Sequence, residues 1–143
     1  MNIFVTSPNP ISSAIALDDK RVIKMILESC QMLNTTILRL GGNGIGYKPT
    51  HQNHPCTLWV KESFANFEWL RLHMLALCRE YSRRYNKTHA CQRFMKHFRE
   101  ESKQLSFDHR ELTVFVNCCT DFKDEQNVFT AYQKQLNKKM ERR

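Results

Sequence analysis

The stretch from residue 18 to residue 40 constrains this chain more than any other. It contains no Gly or Pro, and its apolar residues recur at helical rather than strand spacing. Asp18 or Asp19 opens a helix that runs to about Leu40, where Gly41-Gly42-Asn43-Gly44 ends it. At 100° per residue, Val22, Ile23, Ile26, Leu27, Cys30 and Leu33 share an arc of roughly 140°, the width of a core-facing stripe. Lys20, Lys24, Glu28 and Gln31 gather on a separate arc of roughly 80°. A helix with one apolar face needs other elements to cover it, so the chain must fold as a packed domain.

The remaining segments supply that cover. Ile3-Phe4-Val5 is a short extended apolar piece, and Pro8-Asn9-Pro10 breaks the chain after it. Ser12 or Ser13 is placed to cap a short helical stretch through Leu17. Residues 41–54 read as a loop, and Pro55 suits the first turn of a second, long helix over about 56–85. Leu58, Trp59, Phe64, Phe67, Leu70, Met74, Leu77, Cys78 and Tyr81 carry its apolar pattern. A third helix spans about 89–103, with Cys91, Phe94, Met95 and Phe98 on one stripe. Residues 112–118 read as an extended piece set beside Ile3-Phe4-Val5. A last helix, about 124–140, turns Val128, Tyr132 and Leu136 inward and leads into Lys138, Lys139, Arg142 and Arg143. With 143 residues and no internal repeat, the chain can bury one sizeable core but not two. The expectation is a mostly α fold: a single compact helical domain over 1–143 with a short extended N-terminal segment.

Twenty-two basic residues against 14 acidic ones give a net charge of +8, which points to a polyanion partner, DNA first. Arg79, Arg83, Arg84 and Lys87 crowd the end of the second helix, favourable for its dipole and suited to phosphates. No apolar run approaches the roughly 20 residues that span a bilayer, so no membrane is expected. The first residues lack the basic region and apolar core of a signal peptide, which points to the cytoplasm. The six cysteines include no C-x-x-C pair, and a reducing compartment argues against a disulfide framework. Cys30, Cys78 and Cys91 fall on apolar helix faces, where a thiol packs as a small hydrophobe.

Two clusters could carry chemistry. Lys24 and Glu28 are i, i+4 neighbours with Lys20 one turn back. As a surface ion pair they would stabilise the helix by only about 0.3–0.5 kcal/mol. In a site, the carboxylate would hold a positive charge developing on a substrate, or move a proton, while the lysines grip phosphates. The run His51-Gln52-Asn53-His54-Pro55-Cys56 is the second cluster, with His89 or Cys91 as further donors to a metal. Its spacing is not that of a zinc finger, and the favoured reading has His51 and Asn53 lining a loop, bonded to backbone or phosphate, with no metal. No phosphate loop or dinucleotide fingerprint is present, and Ser12 and Ser13 lack a nucleophile elbow. Nucleotide-dependent enzymes and serine hydrolases are therefore poor candidates.

From the first long helix onward the chain resembles the phage pyrimidine-dimer DNA glycosylase (endonuclease V-like) family. Asp19 precedes Glu28 by the nine residues that separate that family's helix-opening Asp from its catalytic Glu, and Lys20-Arg21 follow the Asp. Residues 50–60, then Phe67-Glu68-Trp69-Leu70-Arg71 and the run to Arg84, are similar to the family's central helix. Residues 1–33, 47–59 and 78–89 resemble small phage proteins assigned to it, so the likeness covers most of the chain.

The resemblance implies a glycosylase and abasic-site lyase that needs no cofactor and forms a Schiff base through its N-terminal amine, assisted by the helix Glu. That choice of nucleophile is physical. An α-amine with a pKa near 7.7–8.0 is roughly 10–15% neutral at pH 7, against about 0.04% for a typical lysine, and only the neutral amine attacks. Carried over, Glu28 is the carboxylate and Lys20, Arg21 and Lys24 contact phosphate or sugar; beside them, His51, Asn53, His54, Arg83, Arg84 and Lys87 are read from the sequence as DNA-binding residues. Position 2 departs from the family's small residue: Asn2 is bulky enough to leave Met1 in place, so the Met1 amine attacks, or Lys24 replaces it. The family's aromatic tail is also missing at Glu141-Arg142-Arg143, which weakens the case for dimer recognition more than the case for the fold. Trp59, Tyr47 and Phe64 could line the apolar pocket that a flipped base requires, or serve as core. Two rivals remain at this level: a catalytically silent relative that binds DNA or a host protein, and a metal-dependent nuclease built on His51 and His54.

Overall fold

Short polar side chains set three of the helix starts, and histidines set two more. In the computed structural model, which describes residues 1–141, the Asn9 side chain accepts the Ile11 and Ser12 amides and opens α1 (Pro10–Ile15). The cap is thus Asn9 rather than Ser12 or Ser13, because Pro10 has the fixed φ of a first-turn residue and the helix starts there. Helix α2 (Asp19–Arg39) matches the predicted first long helix. It ends in a Schellman arrangement: Gly42 N–H donates to Ile37 C=O at 2.8 Å and Gly41 N–H to Leu38 C=O at 3.2 Å. Gly41 takes φ 80°, which a side chain would strain.

The predicted second helix is two helices, α3 (Pro55–Glu62) and α4 (Phe64–Tyr85). Buried Ser63 stands between them in an extended conformation, and its hydroxyl accepts the Asn66 amide to start α4. Residues 109–113 fill the break. Phe64 N–H donates to His109 C=O and Ala65 N–H to Arg110 C=O. Buried Asn66 donates to Trp59 C=O and Thr113 Oγ1 and accepts the Thr113 amide. These long-range partners satisfy the backbone groups that the break exposes, and apolar periodicity cannot show them.

The predicted third helix is shorter, a 3-10 turn (Ala90–Phe94) capped by His89 and followed by α5 (Met95–Ser102). The last helix, α6 (Val128–Glu141), starts four residues later than predicted, where Asn127 accepts the Phe129 and Thr130 amides. Arg142 and Arg143 lie outside the described residues. Among the described residues no strand forms, and the one bridge is an isolated parallel contact of Ser63 with His109. Residues 112–118 therefore do not pair with Ile3-Phe4-Val5. Their anchors are Trp59 Nε1, which donates to Val114 C=O, and Tyr132 Oη, which donates to Val116 C=O and accepts the Cys118 amide. Phe115 packs against Trp59, Trp69 and Phe129.

The architecture is mostly α. Helix α2 packs along α4, α1 lies on α4, and α3 and α5 close on both long helices. The buried side chains form one continuous cluster that includes Ile3, Phe4 and Val5. Trp69 Nε1 and His73 Nδ1, both on α4, bond the carbonyls of Pro8 and Pro10 and fasten the N-terminal stretch to the core.

The core stripe of α2 is displaced from the predicted arc. Val22, Ile26, Cys30 and Leu33 are buried as expected, but so are Met25, Ser29 and Met32, while Ile23 and Leu27 are exposed. Neighbours on both flanks widen the buried face toward Met25 and leave Ile23 and Leu27 at its rim. Leu58 is exposed as well. Cysteine usage departs at one pair. Cys30, Cys78, Cys91 and Cys119 are free and buried, but Cys56 and Cys118 meet sulfur to sulfur in disulfide contact. Burial is the first cause that pushes the Cys78 thiol up to about 12 and Cys119 up to about 11, so these core thiols stay protonated and inert.

Candidate active site

The polar face of α2 looks into a pocket of about 310 Å³. Lys20, Lys24 and Glu28 project into it from adjacent turns, as the i, i+4 spacing requires, with Arg21 and Met25 beside them. The N-terminal stretch forms its floor. The Met1 α-amine lies 3.6 Å from Glu28 Oε1, and the Asn2 amide donates to the same oxygen at 3.1 Å.

Three features hold the amine there. The Met1 side chain is only 2% exposed, with its sulfur against the Thr57 hydroxyl. Asn2 Oδ1 accepts the amides of Ile3 and Phe4 at 2.7 and 2.8 Å. Phe4 takes φ 44°, a left-handed conformation that costs a residue of its size about 1–2 kcal/mol. Burial of the Phe4 ring and the two amides on Asn2 offset that strain, and the resulting bend directs Met1 and Asn2 toward Glu28.

The opposite wall comes from the last third of the chain. Cys118, Thr120, Gln135 and Lys139 line it, and no spacing in the sequence announces them because their partners are about a hundred residues away. Lys20, Lys24 and Lys139 make no ion pair among the described residues, so their charge is available to an anion; Arg21 is paired with Asp18 at 3.1 Å. The pocket therefore combines an amine, a carboxylate touching it and three uncommitted ammonium groups.

His54 also lines the pocket. Burial first, then the Met1 amine and His51, push its imidazole below the ordinary histidine range, against the pull of Glu28. Its Nδ1 accepts the Cys56 amide and caps α3. His51 takes φ 51° and packs edge-on to His54, and Asn53 is exposed in the same turn; neither lines the pocket.

The basic residues at the end of α4 lie outside it. Arg84 is half-buried and donates to the carbonyls of Leu17 and Ile15 and to Asp19 and Glu80, so its guanidinium ties α4 to the start of α2. Arg83 also bonds Glu80, the largest influence holding that carboxyl below the usual range, but its side chain remains 69% exposed. Lys87 is exposed.

Of the aromatic candidates, Trp59 is core and Phe64 packs against Phe107 and Arg110. Tyr47 lines a separate apolar groove with Ile23, Leu27, His89, Ala90 and Cys91. Lys20 and Lys24 form the ridge between that groove and the pocket. The structure gathers His54, Cys56 and Cys118 as one donor group, not His54 with His89 or Cys91. No helix of the described residues is long and apolar enough to cross a membrane.

A family model described as pyrimidine dimer DNA glycosylase matches residues 1–93. No curated protein and no solved structure gives a significant match. The matched stretch contains Met1, Lys20, Arg21, Lys24, Glu28 and His54 but none of the wall formed by Cys118, Thr120, Gln135 and Lys139. Because the match takes in well over half of the chain and both members of the amine–carboxylate pair, the chain belongs to the pyrimidine dimer DNA glycosylase family.

Proposed function

We propose that the protein is a DNA glycosylase with abasic-site lyase activity, with the Met1 α-amine as nucleophile and Glu28 as its partner. The supporting observation is the 3.6 Å approach of that amine to the Glu28 carboxylate at the floor of a lysine-rimmed pocket. DNA glycosylase activity belongs to the family; the amine and the lyase step are the finer reading.

The reaction follows from the groups present. The neutral amine adds to C1′ of the damaged nucleotide, and the N-glycosidic bond breaks with its electron pair departing on the base, which takes up a proton. Loss of the amine proton and opening of the sugar ring leave a Schiff base. Removal of a C2′ proton then breaks the C3′–O bond, expels the 3′ phosphate and nicks the strand. In this reading Glu28, 3.6 Å from the amine, stabilises the positive charge on the nitrogen-bearing carbon and receives protons from the amine and from C2′. Lys20, Arg21, Lys24 and Lys139 hold the phosphates on either side. His51, Asn53, His54, Arg83 and Lys87 extend the DNA surface, and Arg84 contributes mainly by fixing the end of α4 to α2. Lys24 is the alternative amine, since it faces the same pocket.

The test is Glu28→Gln, which keeps the side chain's shape and its ability to accept the Asn2 amide. Nicking of an abasic-site duplex should fall by about 100-fold or more, with DNA affinity nearly intact. If affinity and activity fell together, Glu28 would be holding the fold and the assignment would be wrong.

A further inference from the structure

We propose that His54, Cys56 and Cys118 form a binding site for a thiolate-preferring divalent metal, zinc by chemical class, at the edge of the reaction pocket. Their ligand atoms lie within 4.8 Å of one another, drawn from the start of α3 and from a segment 62 residues further on. Two sulfurs brought into contact in this way can form a disulfide or share a metal. The third donor is what a metal site adds: two thiolates and an imidazole are a recurrent zinc ligand set.

The other four thiols are buried, and among the described residues none joins a second group of three donors: Cys91 has its own amide-capping histidine, His89, but the two belong to no such group. Two of the three donors, His54 and Cys118, line the pocket, so the site lies at its edge. The cost of loading is local. Loading through His54 Nδ1 would exchange the capping hydrogen bond from the Cys56 amide for a coordination bond, whereas loading through Nε2 would keep that cap. Both thiols lose their protons on binding, which makes uptake weaker as the pH falls. The metal would pin the Cys118–Thr120 wall to the start of α3, next to Thr57 and the buried Met1 side chain, and would thereby fix the shape of the pocket. This role takes no part in the amine chemistry and stands or falls separately from it.

Cobalt(II) is the probe. The full chain, reduced and stripped of metal, should take up about one equivalent, with a near-ultraviolet sulfur-to-cobalt charge-transfer band and the visible bands of a tetrahedral site, and zinc(II) should displace it. Cys118→Ser should weaken cobalt binding by about tenfold or more, since even loss of an outer-shell partner costs 10–100-fold. Cys119→Ser should leave the spectrum unchanged. Should Cys118→Ser fail to fold, His54→Gln reads the same site through a shift of the visible bands. A reduced chain that gives no charge-transfer band overturns the proposal. So does a band indifferent to both substitutions. Four free thiols before reduction and no cobalt uptake after it would mean a disulfide alone, which also overturns it.

Discussion

His73 shows what a single buried group does to this fold. Its ring lies fully within the protein on α4, stacked on Trp69 with centroids 5.0 Å apart, and Nδ1 donates to Pro10 C=O at 2.9 Å. Nε2 has no partner among the described residues. Burial lowers the His73 pKa from 6.5 to about 4, so between those values the unfolded chain binds a proton that the folded chain refuses. Stability therefore falls as the pH drops from about 6.5 toward 4, by on the order of 3 kcal/mol for this residue. His73→Asn retains a donor for Pro10 and removes the titration, so urea unfolding at several pH values should show a flatter acid limb. An unchanged slope would mean that His73 charges as readily folded as unfolded. At this scale much of the candidate site was legible: Glu28, Lys20 and Lys24 share a helix face by spacing alone, and bulky Asn2 directed attention to the Met1 amine. His73 was not legible, because nothing local distinguishes a buried histidine from an exposed one.

Among elements, the informative case is the break at Ser63. Apolar spacing runs through it without interruption, and only Asn66 and residues 109–113 reveal why the helix stops. Periodicity records which face is apolar; it does not record a turn whose hydrogen bonds are satisfied from elsewhere. The same limit misplaced residues 112–118, whose geometry depends on α6. Tyr132 Oη holds that segment at two backbone groups, donating to Val116 at 2.6 Å and accepting the Cys118 amide at 3.2 Å. Tyr132→Phe should cost about 1–3 kcal/mol, the penalty for stranding partly buried backbone polar groups. Chemical denaturation reads that loss, and hydrogen exchange should localise it to residues 116–118. A loss below a few tenths of a kcal/mol would show that this anchor is dispensable.

At the scale of the whole molecule, the pocket joins four parts of the chain: the first residues, the polar face of α2, His54 at the start of α3, and the Cys118–Lys139 region. The family match covers residues 1–93, and the far wall lies outside it. The central claim is that an amine at the floor of this pocket attacks DNA. Borohydride trapping on an oligonucleotide with an abasic site, followed by peptide mapping of the reduced adduct by mass spectrometry, tests it most directly. The account predicts a covalent adduct on the Met1 α-amine, with a yield that falls in Glu28→Gln. An adduct confined to a lysine would move the nucleophile away from Met1. No adduct from a chain that still binds the oligonucleotide would contradict the Schiff-base mechanism itself.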